Sequence, residues 1–243
     1  MTVGEAELAE YWSIIDQINR FAQTDLVGLW RRLEAQDRET LFAGLHAGVS
    51  EIVELYRAAM ADNAMVFYEA TQGVVFDREV ALAASTADKQ QLESNLRFAV
   101  FSPTVASTLS MVSGIVQKAI LDGGRDYATE AFARQGAGWF RAARGDACAF
   151  CRMLATRGAT DWGPYTSANA AFLVGHGPHS RRGPDGYQYH KHCRCIPVKA
   201  DEYEVPEYVN EWTETYYKAT HEVGNSTDYR SILAQMRAID GTH

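Results

Sequence analysis

The chain has 243 residues, 47% of them apolar and 22% charged, with 23 Lys plus Arg against 31 Asp plus Glu, a formal charge of -8 and four Cys. This is the composition of a foldable chain of one or two domains, and it excludes a wholly disordered protein and a uniformly basic coat for nucleic acid, which needs Lys and Arg to displace counterions. No run approaches the roughly 18 apolar residues of a membrane span, and MTVGEAELAEYW lacks the basic start of a signal peptide, so the protein is expected to be made and kept in a reducing cytosol.

In chain order, Leu8, Trp12, Ile15 and Ile18 recur at helical spacing and predict a first amphipathic helix, with a second short one from about Asp25. A long helix is predicted over about 38–70, with Leu41, Leu45, Val49, Ile52 and Tyr56 on its apolar face and Gly44 and Gly48 weakening it locally. Ser85 and Asp88 mark the start of another, carrying Leu92, Leu96 and Ala99. Ser102-Pro103 predicts a cap and first position for the next, whose stripe is Val105, Leu109, Val112, Val116 and Ile120. Gly123-Gly124 is expected to end that helix, leaving a further helical stretch over 126–134. After the cysteines, Tyr208, Trp212 and Tyr216 predict a helix from Pro206 to about His221. Asn225-Ser226 is expected to cap a last helix presenting Tyr229, Ile232, Leu233 and Met236, a stripe that must be buried on its own domain or on another subunit.

The charge of -8 averages over unlike parts. Residues 1–135 hold 11 basic and 19 acidic residues, residues 136–200 hold nine and three, and residues 201–243 hold three and nine. The basic island also carries nine of the 19 Gly, four of the six Pro and every Cys, a composition of turns and loops. Three regions follow: a helical domain over 1–135, a Cys/His-rich core over 136–200 and an acidic helical tail over 201–243. The expected class is α+β, mostly α.

Within the island, Cys148-x2-Cys151 is followed by His190-x2-Cys193-x-Cys195. A two-residue gap lets two thiolates point inward from one tight turn, the grip used on tetrahedral zinc, and a strand through 190–196 would put Cys193 and Cys195 on one side. Zinc takes four ligands and there are five candidates: Cys148, Cys151, His190, Cys193 and Cys195. His192 is out of phase, while His176 and His179 in the Gly/Pro loop are substitutes. Structural zinc, reduced thiols without metal, and a redox or nucleophilic Cys all remain open at this point. No Walker loop, dinucleotide fingerprint, HExxH or nucleophile elbow occurs, so a non-enzymatic protein is expected.

ACAFCRMLATRGA, then YHKHCRCIPV, then an acidic tail ending in Ile-Leu-x-x-Met-Arg resembles the MuF-like minor head proteins of tailed phages, in the form found in phages of actinobacteria. That family pairs an upstream C-x2-C with a downstream Y-H-x2-C-x-C, matched here by Cys148, Cys151, Tyr189, His190, Cys193 and Cys195, over a similarity strongest in 139–200. Many relatives carry Pro after the His, where this chain has Lys191. The resemblance implies a minor capsid protein inside the phage head, made in the bacterial host cytoplasm. It would assist head morphogenesis beside the portal, with the portal and/or the major capsid protein as partners and the basic 136–200 segment approaching packaged DNA. The alternatives are a zinc-dependent nucleic-acid-binding module and a Cys-dependent enzyme.

Overall fold

Four aspartates set helix starts. Asp37 accepts from the amides of Glu39 and Thr40 at 3.0 Å, Asp77 from Glu79 and Val80 at 2.9 and 3.1 Å, Asp88 from Gln91 at 2.9 Å and Asp228 from Ser231 at 3.1 Å. Each satisfies amides that have no partner inside the helix, an effect of about 1 kcal/mol per cap. The computed structural model describes residues 2–75, 77–102, 107–161, 163–166, 193–226 and 228–242. The elements are α1 (Glu5–Leu33), α2 (Arg38–Gln72), α3 (Arg78–Ser85), α4 (Lys89–Phe101), α5 (Thr108–Arg134), β1 (Trp139–Ala142), α6 (Ala149–Ala155), β2 (Ile196–Lys199), α7 (Glu207–Val223) and α8 (Tyr229–Asp240). The protein is α+β and mostly α.

The described residues fall into two compact units, one built from residues 9–128 and the other from residues 2–8 and the chain after 128. In the first, α1 runs unbroken through Asp25, because Ala22, Leu26 and Leu29 continue its buried face. Gly44 and Gly48 are the reason α1 and α2 approach closely: a β-carbon on either would lie 2.7 Å from Leu33 or Leu29. The buried face of α2 passes through Val53, Arg57, Met60, Ala64 and Tyr68, so Ile52 and Tyr56 sit at its half-buried margin. Tyr56 instead donates to Asp25 at 2.6 Å across to α1.

Helix α3, too short to show a stripe in the sequence, packs on α2 through Val80 and Ala84. The cap of α5 is Ser107, whose hydroxyl accepts from the Ser110 amide at 3.3 Å; Ser102 closes α4, and residues 103–106, including the expected start at Pro103, lie outside the described residues. Helix α5 does not break at Gly123-Gly124. A β-carbon at Gly123 would stand 2.6 Å from the Arg57 carbonyl oxygen, and one at Gly124 would meet Tyr11, Ala64 and Met60 at 3.2–3.3 Å. The glycines are the surface on which α2 lies, and packing outweighs their intrinsic cost of about 1 kcal/mol each. Arg57 ties the unit together by donating to Ala84 O at 2.8 Å and Ala119 O at 2.7 Å and pairing with Asp126.

In the second unit β1 and β2 pair antiparallel, with Trp139 opposite Lys199 and Ala142 opposite Ile196. The ribbon is extended by a bridge between Trp139 and Tyr165, and Val3 bridges Tyr203 further along the chain. Helix α6 has two working faces. Cys151 and Ala155 join Ala143, Cys193, Cys195, Val209 and Trp212, while Ala149, Met153 and Leu154 join Tyr216, Ala219, Ile232, Leu233 and Met236. The stripe of α8 is thus buried on its own chain, and the segments 136–200 and 201–243, distinct in charge, share one unit. Gly224, at φ +66°, turns the chain out of α7, and Asp228 rather than Asn225-Ser226 caps α8.

Candidate metal centre

Two short stretches assemble the centre. Before α6, Ala147 donates to Arg144 O at 2.9 Å to form a turn, and Cys148 adopts the extended backbone of an N-cap whose carbonyl accepts from Arg152 N at 3.0 Å. Cys151 follows one helical turn on, so the two-residue gap sends both side chains toward the same end of α6. Arg152 fixes this turn by donating to Ala147 O at 2.7 Å and to Asp240 at 3.2 Å, with its guanidinium 5.1 Å from the Trp212 ring centre. The second stretch, Cys193 to Cys195, lies just before β2 and is not itself strand. Pairing of β2 with β1 anchors it.

The Sγ atoms of Cys151, Cys193 and Cys195 all lie within 4.8 Å of one another, with Cys151 and Cys193 at 3.4 Å. The three residues are 2–3% exposed, and all four cysteines are free thiols. Zinc bound to thiolates at about 2.3 Å sets tetrahedral sulfur pairs about 3.8 Å apart, so these three thiols fit three corners of such a site. Cys148 is half-buried and neighbours Cys151, but it falls outside the group of three whose sulfurs all lie within 4.8 Å of one another. His190, the fifth candidate, lies outside the described residues, as do His176, His179 and His192.

The hydrogen bonds of Cys151 with Cys148, Cys193 and Cys195, and then its burial, push its thiol far above the usual range. At Cys195 the bond from Cys151 pulls downward and is outweighed by the bond with Cys193 and by burial, so its thiol is also raised. Buried thiols held protonated are poor nucleophiles. A soft divalent cation reverses this by supplying the charge that lets them ionise, which makes metal binding the chemistry the cluster does best.

Several basic residues of the island are used internally. Arg141 is 1% exposed, and Arg157 donates to Gly163 O at 2.6 Å with its guanidinium 4.3 Å from the Tyr165 ring centre. Arg144 pairs with Asp146 and Lys199 with Asp201. Arg141, Tyr165 and Trp212 line the neighbourhood of the cysteines, and no spacing rule marks them: a lone Arg in a four-residue strand carries no periodic signal.

No curated protein and no solved structure matches the chain. Residues 2–219 match the VG15 protein family, a span that includes all four cysteines and runs from ahead of α1 to a point within α7. With so much of its length matched, the chain belongs to the VG15 protein family, and hence among phage proteins.

Proposed function

We propose that this protein is a non-enzymatic minor capsid component of the MuF-like class, acting in head morphogenesis inside the phage head beside the portal, with its cysteine centre loaded by structural zinc. The observation that carries the reading is the burial of Cys151, Cys193 and Cys195 together, in a chain of the VG15 family whose own cysteine spacing resembles that of MuF-like proteins. A redox or nucleophilic Cys must meet its substrate, and the thiols of Cys151, Cys193 and Cys195, exposed by only 2–3%, are poorly placed to do so. A structural metal needs no such access. It ties α6 to the start of β2 and so closes the long intervening segment at its base, the use to which small zinc sites are commonly put. Cys151, Cys193 and Cys195 would be ligands, with the fourth from Cys148 or His190.

The DNA-contact reading has less support. Of the nine basic residues in 136–200, Arg141, Arg152, Arg157 and Lys199 are wholly or largely buried or bonded within the unit.

The test is purification of heads and mature particles from an infection with the tagged, full-length protein, alongside binding to isolated portal oligomer. A few copies per particle and copurification with the portal are expected. Absence from heads together with no portal binding would overturn the proposal. Salt-sensitive DNA binding by the full chain, without portal binding, would favour the nucleic-acid module instead.

A further inference from the structure

Single apolar side chains on a protein surface need no explanation, but several on one face do. Four large ones gather on the outside of the α1–α2 pair: Ile14 at 38% and Phe21 at 61% exposure, with Leu55 at 63% and Val66 at 62%. Ile14, the half-buried Ile18, Phe21 and Asp25 follow one another at helical spacing, and Asp25 accepts from Tyr56, so this row runs along the α2 side of α1. Leu55 and Val66 are three turns apart on α2 and share a face. Both rows point away from α5, which meets α1 where Gln23 bonds to Ser113 and meets α2 where Gly124 faces Met60 and Ala64. The two helices run antiparallel in a register set by Leu33 at Gly44, Leu29 at Gly48, Asp25 at Tyr56 and Tyr11 stacked on Phe67 at 4.1 Å. That register brings Phe21 within about two residues of the level of Leu55, and Ile14 within about two of Val66, so the rows form one apolar strip two helices wide and about 16 Å long.

The surroundings of the strip are acidic. Glu10 stands one turn before Ile14, Glu51 one turn before Leu55 and Asp62 one turn before Val66, all three exposed, whereas Arg20 is the only exposed cation among residues 9–28 and 51–72. A second copy of the chain would set like charge against like, and anionic lipid or nucleic acid would be repelled. A helix whose apolar stripe is flanked by lysines or arginines fits on both counts. The furrow between two packed helices seats a third by ridges into grooves, and the length of the strip matches about three helical turns. We propose that the outer face of α1 and α2 docks a basic amphipathic helix of another protein. Ile14, Phe21, Leu55 and Val66 receive its apolar stripe, and Glu10, Glu51 and Asp62 face its cations. This surface is separate from the cysteine centre, and the proposal stands whether or not that centre holds zinc.

Binding is to be measured on the full-length protein by fluorescence anisotropy with two labelled helical peptides of about 14 residues. They share one leucine stripe, and the polar face is lysine in one and glutamate in the other. The lysine peptide is expected to bind about tenfold or more tightly than the glutamate peptide, and Phe21→Ser combined with Leu55→Ser to weaken it by about tenfold or more, as loss of central apolar anchors does. Ile239→Ser, which removes an exposed apolar side chain of the other unit, is expected to leave binding unchanged. Glu51→Lys combined with Asp62→Lys is expected to cut the preference for lysine by about tenfold. If the serine pair does not fold by circular dichroism, Ile14→Gln combined with Val66→Gln takes its place. No binding of the lysine peptide, equal affinity for the two peptides, or serine variants that bind as the natural protein does overturns the proposal. So does a natural protein that dimerises in sedimentation, or pellets with phosphatidylglycerol vesicles, where the serine pair abolishes that behaviour; the occupant is then a second copy or a membrane.

Discussion

The sulfurs of Cys151 and Cys193 approach to 3.4 Å across 42 positions of chain. Such proximity without a disulfide links two segments only weakly by itself, since a thiol–thiol contact adds little beyond the burial of its groups. A shared metal converts the contact into a bond network. Free zinc at 100 times its dissociation constant stabilises a one-site protein by about 2.7 kcal/mol, roughly 5–11 °C in Tm for a chain of this size. Removal of zinc by a strong chelator is therefore expected to lower Tm by about that amount, and Cys193→Ser to abolish the response to added zinc. Calorimetry with and without chelator, together with zinc per chain by elemental analysis, checks this. An occupancy of a few per cent and an unmoved Tm would count decisively against it.

A second prediction concerns the pair Arg57 and Asp126. Burial, and secondarily the neighbouring Asp122, push the Asp126 carboxyl up to about 6 against the pull of Arg57. An unfolded aspartate titrates near 3.9. Because the folded value is the higher one, the fold holds this proton more tightly, so the group's stabilising share is complete below about pH 4 and is lost as pH rises through about 6. That share is on the order of 2–3 kcal/mol. Asp37 and Asp228, whose caps lower their pKa, run the other way and lose stability as the solution is acidified. Both remain in Asp126→Asn and cancel in a comparison. The stability difference, natural minus variant, is expected to fall by about 2–3 kcal/mol between pH 4 and 7 in urea unfolding. Parallel pH profiles for the two proteins would refute the assignment.

The glycine pair of α5 gives a third. Alanine improves helix propensity by about 1 kcal/mol at either position. At Gly123 the added carbon would stand 2.6 Å from a backbone oxygen, which has no side-chain rotation to relieve it. At Gly124 the neighbours stand at 3.2–3.3 Å and two of them are mobile side-chain atoms of Tyr11 and Met60. Gly123→Ala is expected to lose about 1–3 kcal/mol net and Gly124→Ala to stay near neutral. Chemical denaturation of both variants tests the order; a Gly124→Ala more damaging than Gly123→Ala would reverse the packing argument.

These glycines also mark where sequence reading stops. The stripes of α2, α7 and α8 were legible because burial on one face imposes a period of 3.6 residues, and Cys148, Cys151, Cys193 and Cys195 were legible because ligand spacing is local. The continuity of α5 was not, since Gly123 reads as a breaker until the Arg57 carbonyl is seen beside it. Likewise α1 reads as two helices at Asp25 until the burial of Ala22, Leu26 and Leu29 joins them. Asp228 is obscured as the cap of α8 because Asn225-Ser226 offers the same chemistry three residues earlier. Arg141 is a further case: its burial depends on pairing with the strand opposite, whose register no local pattern announces.

Helix α8 supplies the last prediction. Met236 is fully buried among residues of α6, α7 and α8, whereas Ile239, one turn further on, is 41% exposed. Met236→Ala removes core volume from the face of α6 opposite to Cys151 and is expected to cost about 2–4 kcal/mol, while Ile239→Ala stays within about 0.5 kcal/mol. Were α8 a peg for another subunit, Met236→Ala would leave the dilute protein as stable as before and reduce association instead. Urea unfolding at two protein concentrations tells these apart: a midpoint shift independent of concentration belongs to self-docking. Because α6 also carries Cys151, with Cys148 as its cap, the loosened helix should bind zinc somewhat less tightly, by the share of the packing energy that fixes the cysteine turn. Zinc affinity in Met236→Ala is therefore expected to fall by less than the loss seen on removing any one cysteine, and an effect as large would mean that α6 is ordered by α8 alone.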